Sequence, residues 1–501
     1  MQSEKIGKVW LVGAGPSDAG LMTLRGYEAL RNADVVVYDK LLGSGILSMI
    51  KSTAKKIYVG KSSFKHIASQ DEINRILLCE AMTGAMVVRL KGGDPFLFGR
   101  GGEEIEQLIQ QGIPFEVVPG VTSAVAVPAY AGIPVTHRDF SSSLHIFTGH
   151  SANKKDSSFD FSKIAGLEGT LVFLMGVNAA KKICGGLIEA GMSENTPAAA
   201  VENGTSARQR TVTATLGTLP DKISECCIKP PAVIVIGRTA ALANRFSWIE
   251  QRPLNGKRVV VTRPYEKNRE FCKKISCLGG EAVADPCIKT EYNEKSGLPS
   301  VIGRLCEFSW IVFQSSTGVD FFFEQLHKTG KDTRSLYNIK IAAIGEITAE
   351  KLSKRGIIPD LVPDKFDSGH LAQKLDSTVK NGEKVLIIKA AAGSSELENN
   401  FCRQGIVCET VEAYRTASSR THPEFPETEN IIKNNKFDCI TFASPSAVRG
   451  FKDSFPELDF GLCTAVCIGN RTAAEAEKLG MRVLTAEKST EDGMIEIIKK
   501  L

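Results

Sequence analysis

A glycine-rich loop in the first quarter of the chain most constrains how the sequence can fold. Residues 90–104 read LKGGDPFLFGRGGEE, and they follow the apolar run Met86–Leu90. A helix-like segment follows over 103–110. Glycine lets the backbone approach a ligand closely, and the first turn of a helix leaves free N–H groups. The pattern predicts a strand, a loop that holds a small molecule with main-chain atoms, and a helix.

The same order of strand, loop and helix recurs along the chain. This alternation predicts an α/β protein with a largely parallel sheet. A chain of 501 residues is too long for one ordinary domain, and about three are expected. A polar stretch over 245–256 separates two series of elements. The predicted strands are 9–12, 35–38, 87–90, 116–118, 144–148, 171–175, 198–201, 232–236 and 259–262.

Composition excludes several classes of function. The net charge of +5 is small for this length, and no run of lysine and arginine is long enough for a nucleic-acid surface. No apolar stretch approaches the roughly 20 residues that span a bilayer. The thirteen cysteines form no CxxC pair, which indicates reduced thiols rather than disulfides or a metal site. We expect a cytoplasmic protein without a signal peptide, a metal, a membrane partner or a nucleic-acid partner.

The first predicted strand is followed by Gly13-Ala14-Gly15-Pro16-Ser17-Asp18, which resembles a dinucleotide-binding turn. Asp18 stands where that turn needs its third glycine, and Pro16 stiffens the backbone. Such a turn is expected to be followed, about 20 positions later, by an acidic residue, and Asp39 stands near that position. The sequence disfavours a nicotinamide dehydrogenase, which stays open as an alternative.

The second half contains an internal repeat. The segment 344–349 (IGEITA) recurs at 468–473 (IGNRTA). Upstream of each copy, the segment 313–319 is similar to the segment 442–448. Two copies of one α/β unit are predicted, and paired domains often hold a ligand between them. The alternative is that each copy is only a tight strand-to-helix turn with a threonine near the helix start.

Nine motifs occur in register over residues 6–245. They are 13–16, 21–26, 33–39, 59–61, 92–96, 118–124, 132–138, 174–176 and 202–210. Together they resemble the tetrapyrrole methyltransferase family, and more closely the uroporphyrinogen-III C-methyltransferases. The resemblance implies a two-lobed α/β fold that forms a homodimer. It also implies methylation of uroporphyrinogen III at C2 and C7 with S-adenosylmethionine, which gives precorrin-2 and S-adenosylhomocysteine for siroheme or cobalamin synthesis. The chain departs from the family at 17–20, where Ser17 and Ala19 replace the usual glycine and proline.

The resemblance also implies roles for individual residues. Asp39 matches the proposed base and Lys61 the proposed proton donor; the alternatives are a turn cap and a surface lysine. The positions matching S-adenosylmethionine contacts are Pro16, Gly92, Gly93, Asp94, Leu97, Thr122, Ser123, Met175 and Gly204. Met175 has the alternative of a core side chain, and Asp94 either faces the ligand's ammonium or caps the next helix. The arginines expected to bind substrate carboxylates are Arg138, Arg208 and Arg210.

Residues 254–501 contain a second ordered set of motifs. They are 259–264, 315–319, 344–349, 361–363, 411–416, 444–448 and 468–473. This set resembles the uroporphyrinogen-III synthases, which close linear hydroxymethylbilane to uroporphyrinogen III with inversion of ring D. Tyr414 matches the residue expected to help the hydroxyl leave, with a half-buried strand tyrosine as the alternative. The positions expected to bind substrate carboxylates are Thr348, Thr472, Ser315 and Ser444.

The two resemblances predict a fusion in which one half makes the substrate of the other. We expect a methyltransferase over 1–245, a linker over 246–256 and a two-domain α/β synthase over 257–501. Within the synthase, 257–287 and 416–501 form one lobe and 290–413 an inserted lobe. One alternative is a methyltransferase for another tetrapyrrole whose C-terminal half is a non-catalytic ligand-binding module.

Overall fold

A computed structural model describes residues 6–40, 42–51, 53–60, 69–149, 160–364, 368–380, 382–418 and 425–501. The chain divides into two compact units. The first unit contains residues 1–287 and 421–501, and the second contains residues 288–420. None of the helices in the described part of the chain has the length and apolar character needed to cross a membrane.

The strands and helices of the described residues alternate along the chain. The strands before residue 250 are β1 (Lys8–Gly13), β2 (Val35–Tyr38), β3 (Lys55–Tyr58), β4 (Met86–Lys91), β5 (Phe115–Val118), β6 (Leu144–Thr148), β7 (Thr170–Leu174), β8 (Pro197–Glu202), β9 (Arg210–Thr215) and β10 (Ala232–Ile236). The helices there are α1 (Leu24–Asn32), α2 (Ser44–Leu47), α3 (Gln70–Met82), α4 (Gly101–Gln110), α5 (Ser123–Tyr130), α6 (Phe161–Ala165), α7 (Ala180–Glu189) and α8 (Leu219–Glu225).

The remaining elements follow residue 250. The strands are β11 (Arg258–Val261), β12 (Glu281–Ala284), β13 (Ile288–Tyr292), β14 (Trp310–Phe313), β15 (Lys340–Ala343), β16 (Lys384–Ala390), β17 (Val407–Ser418), β18 (Cys439–Phe442), β19 (Thr464–Cys467) and β20 (Arg482–Thr485). The helices are α9 (Tyr265–Cys277), α10 (Leu298–Gly303), α11 (Ser316–Lys328), α12 (Glu346–Ser353), α13 (Ser368–Asp376), α14 (Glu396–Gln404), α15 (Pro426–Lys433), α16 (Pro445–Ser454), α17 (Asn470–Glu477) and α18 (Glu491–Lys499).

The first sheet is parallel, in the order β3-β2-β4-β1-β5. Val36 and Val37 point to opposite faces of β2, yet both are fully buried. Burial on both faces is the reason why these strands are continuous apolar runs. The predicted strand, glycine loop and helix are confirmed as β4, residues 92–100 and α4.

The second sheet has the order β6-β7-β10-β8-β9. Within this sheet, β6 and β7 are the only described strands that pair in parallel. The other three pairings, β7 with β10, β10 with β8 and β8 with β9, are antiparallel. The prediction of a largely parallel sheet is therefore wrong here. The short connection over 203–209 accounts for the antiparallel pairing of β8 with β9, because it leaves no room for a crossover helix.

The third sheet, β12-β11-β18-β19-β20, is parallel and lies in the first unit. It is assembled from two stretches of the chain, since β12 and β18 are separated by the whole second unit. The second unit contains the fourth sheet, β13-β17-β16-β14-β15, in which β13 is antiparallel to β17.

The sequence repeat corresponds to a repeated turn. Ser315 follows β14 and caps α11, and Ser444 follows β18 and caps α16, with nearly identical extended backbone angles. Gly345 and Gly469 stand in the same way before α12 and α17. The structure thus shows the repeated strand-to-helix turn, which is common to the predicted pair of α/β units and to the alternative of isolated turns.

Candidate active sites

Three glycines meet at the carboxyl edge of the first sheet. Gly13 ends β1, Gly93 follows β4 and Gly120 follows β5. The Gly93 N–H donates to Gly15 O at 3.0 Å, and the Gly15 N–H donates to Gly93 O at 3.2 Å. A Cβ on Gly13 would lie only 2.5 Å from Gly120 N, so a side chain has no room there. The result is a backbone-lined cradle at the edge where parallel sheets bind ligands.

Asp94 holds the loop of this cradle closed. Its carboxylate accepts N–H hydrogen bonds from Phe96 at 2.8 Å, Leu97 at 3.1 Å and Gly120 at 3.0 Å. Helix α4 begins later, with Arg100 at its cap position. The alternative that Asp94 caps this helix is therefore wrong, and its carboxylate instead joins the loop after β4 to the loop after β5.

Further predicted contact residues lie around the cradle. Thr122 caps α5 by accepting the Ala124 N–H at 3.2 Å, which places Ser123 in the first turn of the helix. The Thr205 hydroxyl donates to Pro16 O at 2.8 Å, so the loop beside Gly204 is tied to the loop after β1.

Leu97 and Met175 differ in their surroundings. Leu97 packs against an apolar cluster that includes Val127 and Leu174. Met175 follows β7 with a φ of 57° and is 47% exposed. A non-glycine residue in the left-handed region is strained, and such strain concentrates at functional sites. The alternative of a core methionine is therefore wrong, because this side chain is open to solvent.

Asp39 belongs to a buried charge network that sequence reasoning did not find. Arg89 Nη2 lies 3.1 Å from Asp39 Oδ2, and Arg89 Nε lies 3.2 Å from Glu104 Oε1. Lys91 Nζ donates to the same Glu104 oxygen at 2.8 Å. Burial lowers the pKa of Lys91, and the neighbouring Arg89 adds to this effect. The available signal was two cations, Arg89 and Lys91, inside an otherwise apolar strand.

The predicted substrate arginines are not gathered at one place. Arg138 is exposed. Arg208 Nη2 lies 3.1 Å from Asp438 Oδ2. Arg210 donates through Nε to Glu202 at 2.6 Å and through its other nitrogens to two backbone carbonyls near the end of α8. Their binding roles stay predictions. Lys61 lies outside the described residues.

In the second unit, Tyr414 on β17 lies beside Ser315. The two hydroxyl oxygens are 2.8 Å apart, and the tyrosine ring stacks on Phe321 at 5.8 Å between centroids. Burial raises the pKa of Tyr414, although its hydrogen bonds with Ser315 and Thr317 oppose the rise. The phenol therefore keeps its proton. Thr348 lies in the first turn of α12 and is 4% exposed.

Ser444 and Thr472 occupy the equivalent positions in the third sheet. Ser444 Oγ lies 2.9 Å from Ser446 Oγ and accepts the Ala447 N–H at 3.3 Å. Thr472 is 3% exposed, so its hydroxyl faces the interior. Ser315 and Ser444 thus hydrogen-bond to neighbouring groups, and Thr348 and Thr472 are buried. The carboxylate-binding roles of these four residues stay predictions. All thirteen cysteines are free thiols, and the described part of the chain has no cluster of His, Cys, Asp and Glu able to hold a metal.

Comparison with known proteins assigns the two halves. Residues 8–220 match the tetrapyrrole (corrin/porphyrin) methylases, and residues 269–496 match uroporphyrinogen-III synthase HemD. A porphyrin biosynthesis protein HemD from Ruminiclostridium josui is 46% identical over 493 residues, which cover 98% of this chain and 97% of the relative. The chain belongs to both families, as a fusion. It is an enzyme with a methyltransferase half and a synthase half, as the sequence predicted.

Other relatives match parts of the fusion. A uroporphyrinogen-III C-methyltransferase from Bacillus subtilis is 39% identical over 365 residues, covering 72% of this chain and 74% of the relative. A uroporphyrin-III C-methyltransferase structure from Thermus thermophilus, in complex with S-adenosylhomocysteine, is 38% identical. The match covers 46% of this chain and 93% of that chain, with a TM-score of 0.40.

Proposed function

We propose that the fusion catalyses two consecutive reactions. The synthase half closes hydroxymethylbilane to uroporphyrinogen III with inversion of ring D. The methyltransferase half then methylates uroporphyrinogen III at C2 and C7 to give precorrin-2. The observation that carries the proposal is the backbone cradle of Gly13, Gly93 and Gly120 beside the buried Asp39 network, in a chain that belongs to both families.

The methyltransferase residues fit S-adenosylmethionine as the methyl donor. The cradle offers main-chain atoms without side chains, and the exposed Met175 offers a flexible apolar surface for an aromatic ring. Pro16, Thr122 and Gly204 would complete the binding site. When bound, the cofactor supplies an electrophilic methyl group on a sulfonium. The enzyme's main task is therefore to hold the ring carbon in line with that methyl group.

Asp39 is the base in this proposal. Addition of a methyl cation leaves a positive charge on the macrocycle, and one proton must leave for each methyl group added. Asp39 receives that proton through the oxygen that Arg89 does not occupy. That oxygen, Oδ1, is buried and has no hydrogen-bond partner among the described residues. The buried Arg89 fixes the carboxylate at the carboxyl edge of the sheet.

Tyr414 is the proton donor for ring closure. The bond between carbon and the terminal hydroxyl breaks, and the oxygen leaves with the electron pair and the proton of the phenol, as water. Ring closure releases one proton from carbon, which restores the phenol. The raised pKa of Tyr414 keeps the donor protonated, and Ser315 at 2.8 Å orients its hydroxyl.

Methyl transfer is tested with uroporphyrinogen III and S-adenosylmethionine carrying a ¹³C-labelled methyl group. We expect two labelled methyl groups per macrocycle, at C2 and C7 in the NMR spectrum, and two equivalents of S-adenosylhomocysteine. An unlabelled macrocycle would reject the proposal. The proposal also includes a homodimer formed through the methyltransferase half, which sedimentation of the full chain tests.

A further inference from the structure

The synthase half reaches the carboxyl edge of the methyltransferase sheet. Both belong to the first compact unit. The ring of Phe425, just before α15, packs edge-on against Tyr38 at the end of β2, with 5.9 Å between centroids. Ser44 Oγ on α2 donates to Ala282 O on β12 at 2.9 Å, and this hydrogen bond is buried. The start of α15 therefore lies next to the carboxyl end of β2.

Glu427, in the first turn of α15, joins a cluster of methyltransferase side chains. Its carboxylate lies close to the Tyr58 phenol at the end of β3, and it lies within electrostatic range of Asp39 and Lys40. Burial raises the pKa of Glu427, and Asp39 adds to the rise. This carboxylate therefore comes from the synthase half but faces the proposed base of the methyltransferase half.

Glu427 and Asp39 share an unusual feature. One carboxylate oxygen of each, Glu427 Oε2 and Asp39 Oδ1, is buried without a partner among the described residues. The Asp39 carboxylate pairs with Arg89 through Oδ2, and the Glu427 carboxylate lies close to the Tyr58 phenol. A buried acceptor without a donor is costly, so the pair indicates a ligand that supplies donors.

The charged groups that line the neighbouring cavity indicate which kind of ligand would fit there. A cavity of about 430 Å³ adjoins Glu427, and five cations are among its lining residues: Lys40, Arg208, Arg252, Arg258 and Lys436. Arg258 Nε is also buried without a partner in the described structure. A ligand with carboxylates on its periphery and N–H donors within its ring suits both features. The ring of a porphyrinogen presents pyrrole N–H groups, whereas its carboxylates would be repelled by Glu427 and Asp39.

We propose that the synthase half completes the acceptor site of the methyltransferase half, with Glu427 and Asp39 accepting N–H hydrogen bonds from the macrocycle. The inference rests on the proposed methylation of a porphyrinogen. It adds a substrate-binding residue that the methyltransferase half alone does not contain. It also means that the acceptor site depends on the position of α15.

The test compares Glu427→Gln with Glu429→Gln in the full chain. Glu429 lies on the same helix but pairs with Lys433 one turn away, so it is the matched control. We expect Glu427→Gln to raise the KM for uroporphyrinogen III about three- to ten-fold, the effect of one lost hydrogen bond. The KM for S-adenosylmethionine and the turnover of hydroxymethylbilane should stay at the wild-type values. In Glu429→Gln, both KM values and the hydroxymethylbilane turnover should stay at the wild-type values.

An unchanged KM for uroporphyrinogen III in Glu427→Gln would overturn the inference and leave the proposed function intact. Absence of methylation by the wild-type chain would instead reject the proposed function. Hydroxymethylbilane turnover also reports the folding of the lobe that contains α15. If that turnover is lost in Glu427→Gln, Glu427→Asp replaces it, because it keeps the negative charge but withdraws the carboxylate by one methylene group. The same rise in KM supports the inference, and an unchanged KM refutes it.

Discussion

Arg89 Nη2 lies 3.1 Å from Asp39 Oδ2, and the arginine side chain is only 3% exposed. The same guanidinium reaches Glu104 on α4 through Nε. One buried cation thus connects the proposed base to the helix that follows the glycine loop. The proposed base and the helix after the cradle are therefore joined by ion pairs to the same guanidinium.

Replacement of Arg89 by methionine should destabilise the protein strongly. Removing one partner of a buried ion pair leaves uncompensated charge and typically costs about 3–5 kcal/mol in the free energy of unfolding. Arg100→Met is the control, since Arg100 and Glu103 form an exposed pair worth less than about 1 kcal/mol. Urea unfolding measures both variants. Equal losses of stability would show that the Arg89 network contributes no more than a surface pair.

Gly120→Ala should weaken S-adenosylmethionine binding. The new Cβ would collide with Gly93 O and with Gly13, so the cradle would have to open. Strain of about 1–3 kcal/mol corresponds to a loss of affinity of about 5- to 150-fold. Gly102→Ala is the control, because a Cβ there meets no atom within 4 Å. Calorimetric titration with S-adenosylhomocysteine measures the affinity of both variants. Equal affinities would show that the cradle is not part of the binding site.

Much of this arrangement was accessible from the sequence because apolar runs and glycine loops are local signals. The strand, loop and helix over 86–110 were predicted in place, and so was the repeated turn at Ser315 and Ser444. The Arg89–Glu104 pair was not, because it joins a strand to the following helix and only the fold brings the two together. The antiparallel β9 was missed because its alternating, half-exposed residues give no strong apolar signal.

The contact of Glu427 with Tyr58 marks the limit of prediction from sequence. The two residues are separated by most of the chain, and a glutamate in the first turn of a helix is ordinarily explained by the helix dipole alone. The motifs suggested Asp39 because it matches the proposed base of the family that they resemble. No pattern in one sequence shows which distant segment covers that position.

Tyr414→Phe should impair ring closure and leave methylation intact. Loss of a proton donor typically lowers kcat by about 10²- to 10⁴-fold. Methylation of added uroporphyrinogen III should stay at the wild-type rate, because the residues proposed for it belong to the first unit. Tyr337→Phe is the control, with a tyrosine that is 82% exposed. Wild-type turnover of hydroxymethylbilane by Tyr414→Phe would exclude the phenol as the donor.

Asp285→Asn should change how stability depends on pH. Burial raises the pKa of Asp285 from 3.8 to about 6, against the opposing hydrogen bond from the Cys287 thiol at 3.1 Å. Well below pH 3.8 the carboxyl group is protonated in both the folded and the unfolded chain. Between pH 3.8 and about pH 6 the carboxyl group ionises in the unfolded chain but stays protonated in the folded chain. The free energy of unfolding therefore falls by about 3 kcal/mol as the pH rises through this range. Asparagine does not titrate.

The stability of Asp285→Asn relative to wild type should therefore increase from pH 4 to pH 7. Thermal unfolding across this range measures the difference in Tm at each pH. A difference that stays constant would mean that Asp285 ionises alike in the folded and unfolded chains.

Addition of hydroxymethylbilane to the full chain, with and without S-adenosylmethionine, tests the central claim most directly. Products are separated by chromatography and identified by absorbance and mass. We predict uroporphyrinogen III without the cofactor, and a dimethylated macrocycle with two equivalents of S-adenosylhomocysteine when the cofactor is present. Formation of only the uninverted isomer, with no S-adenosylhomocysteine released, would contradict the assignment of both activities to this chain.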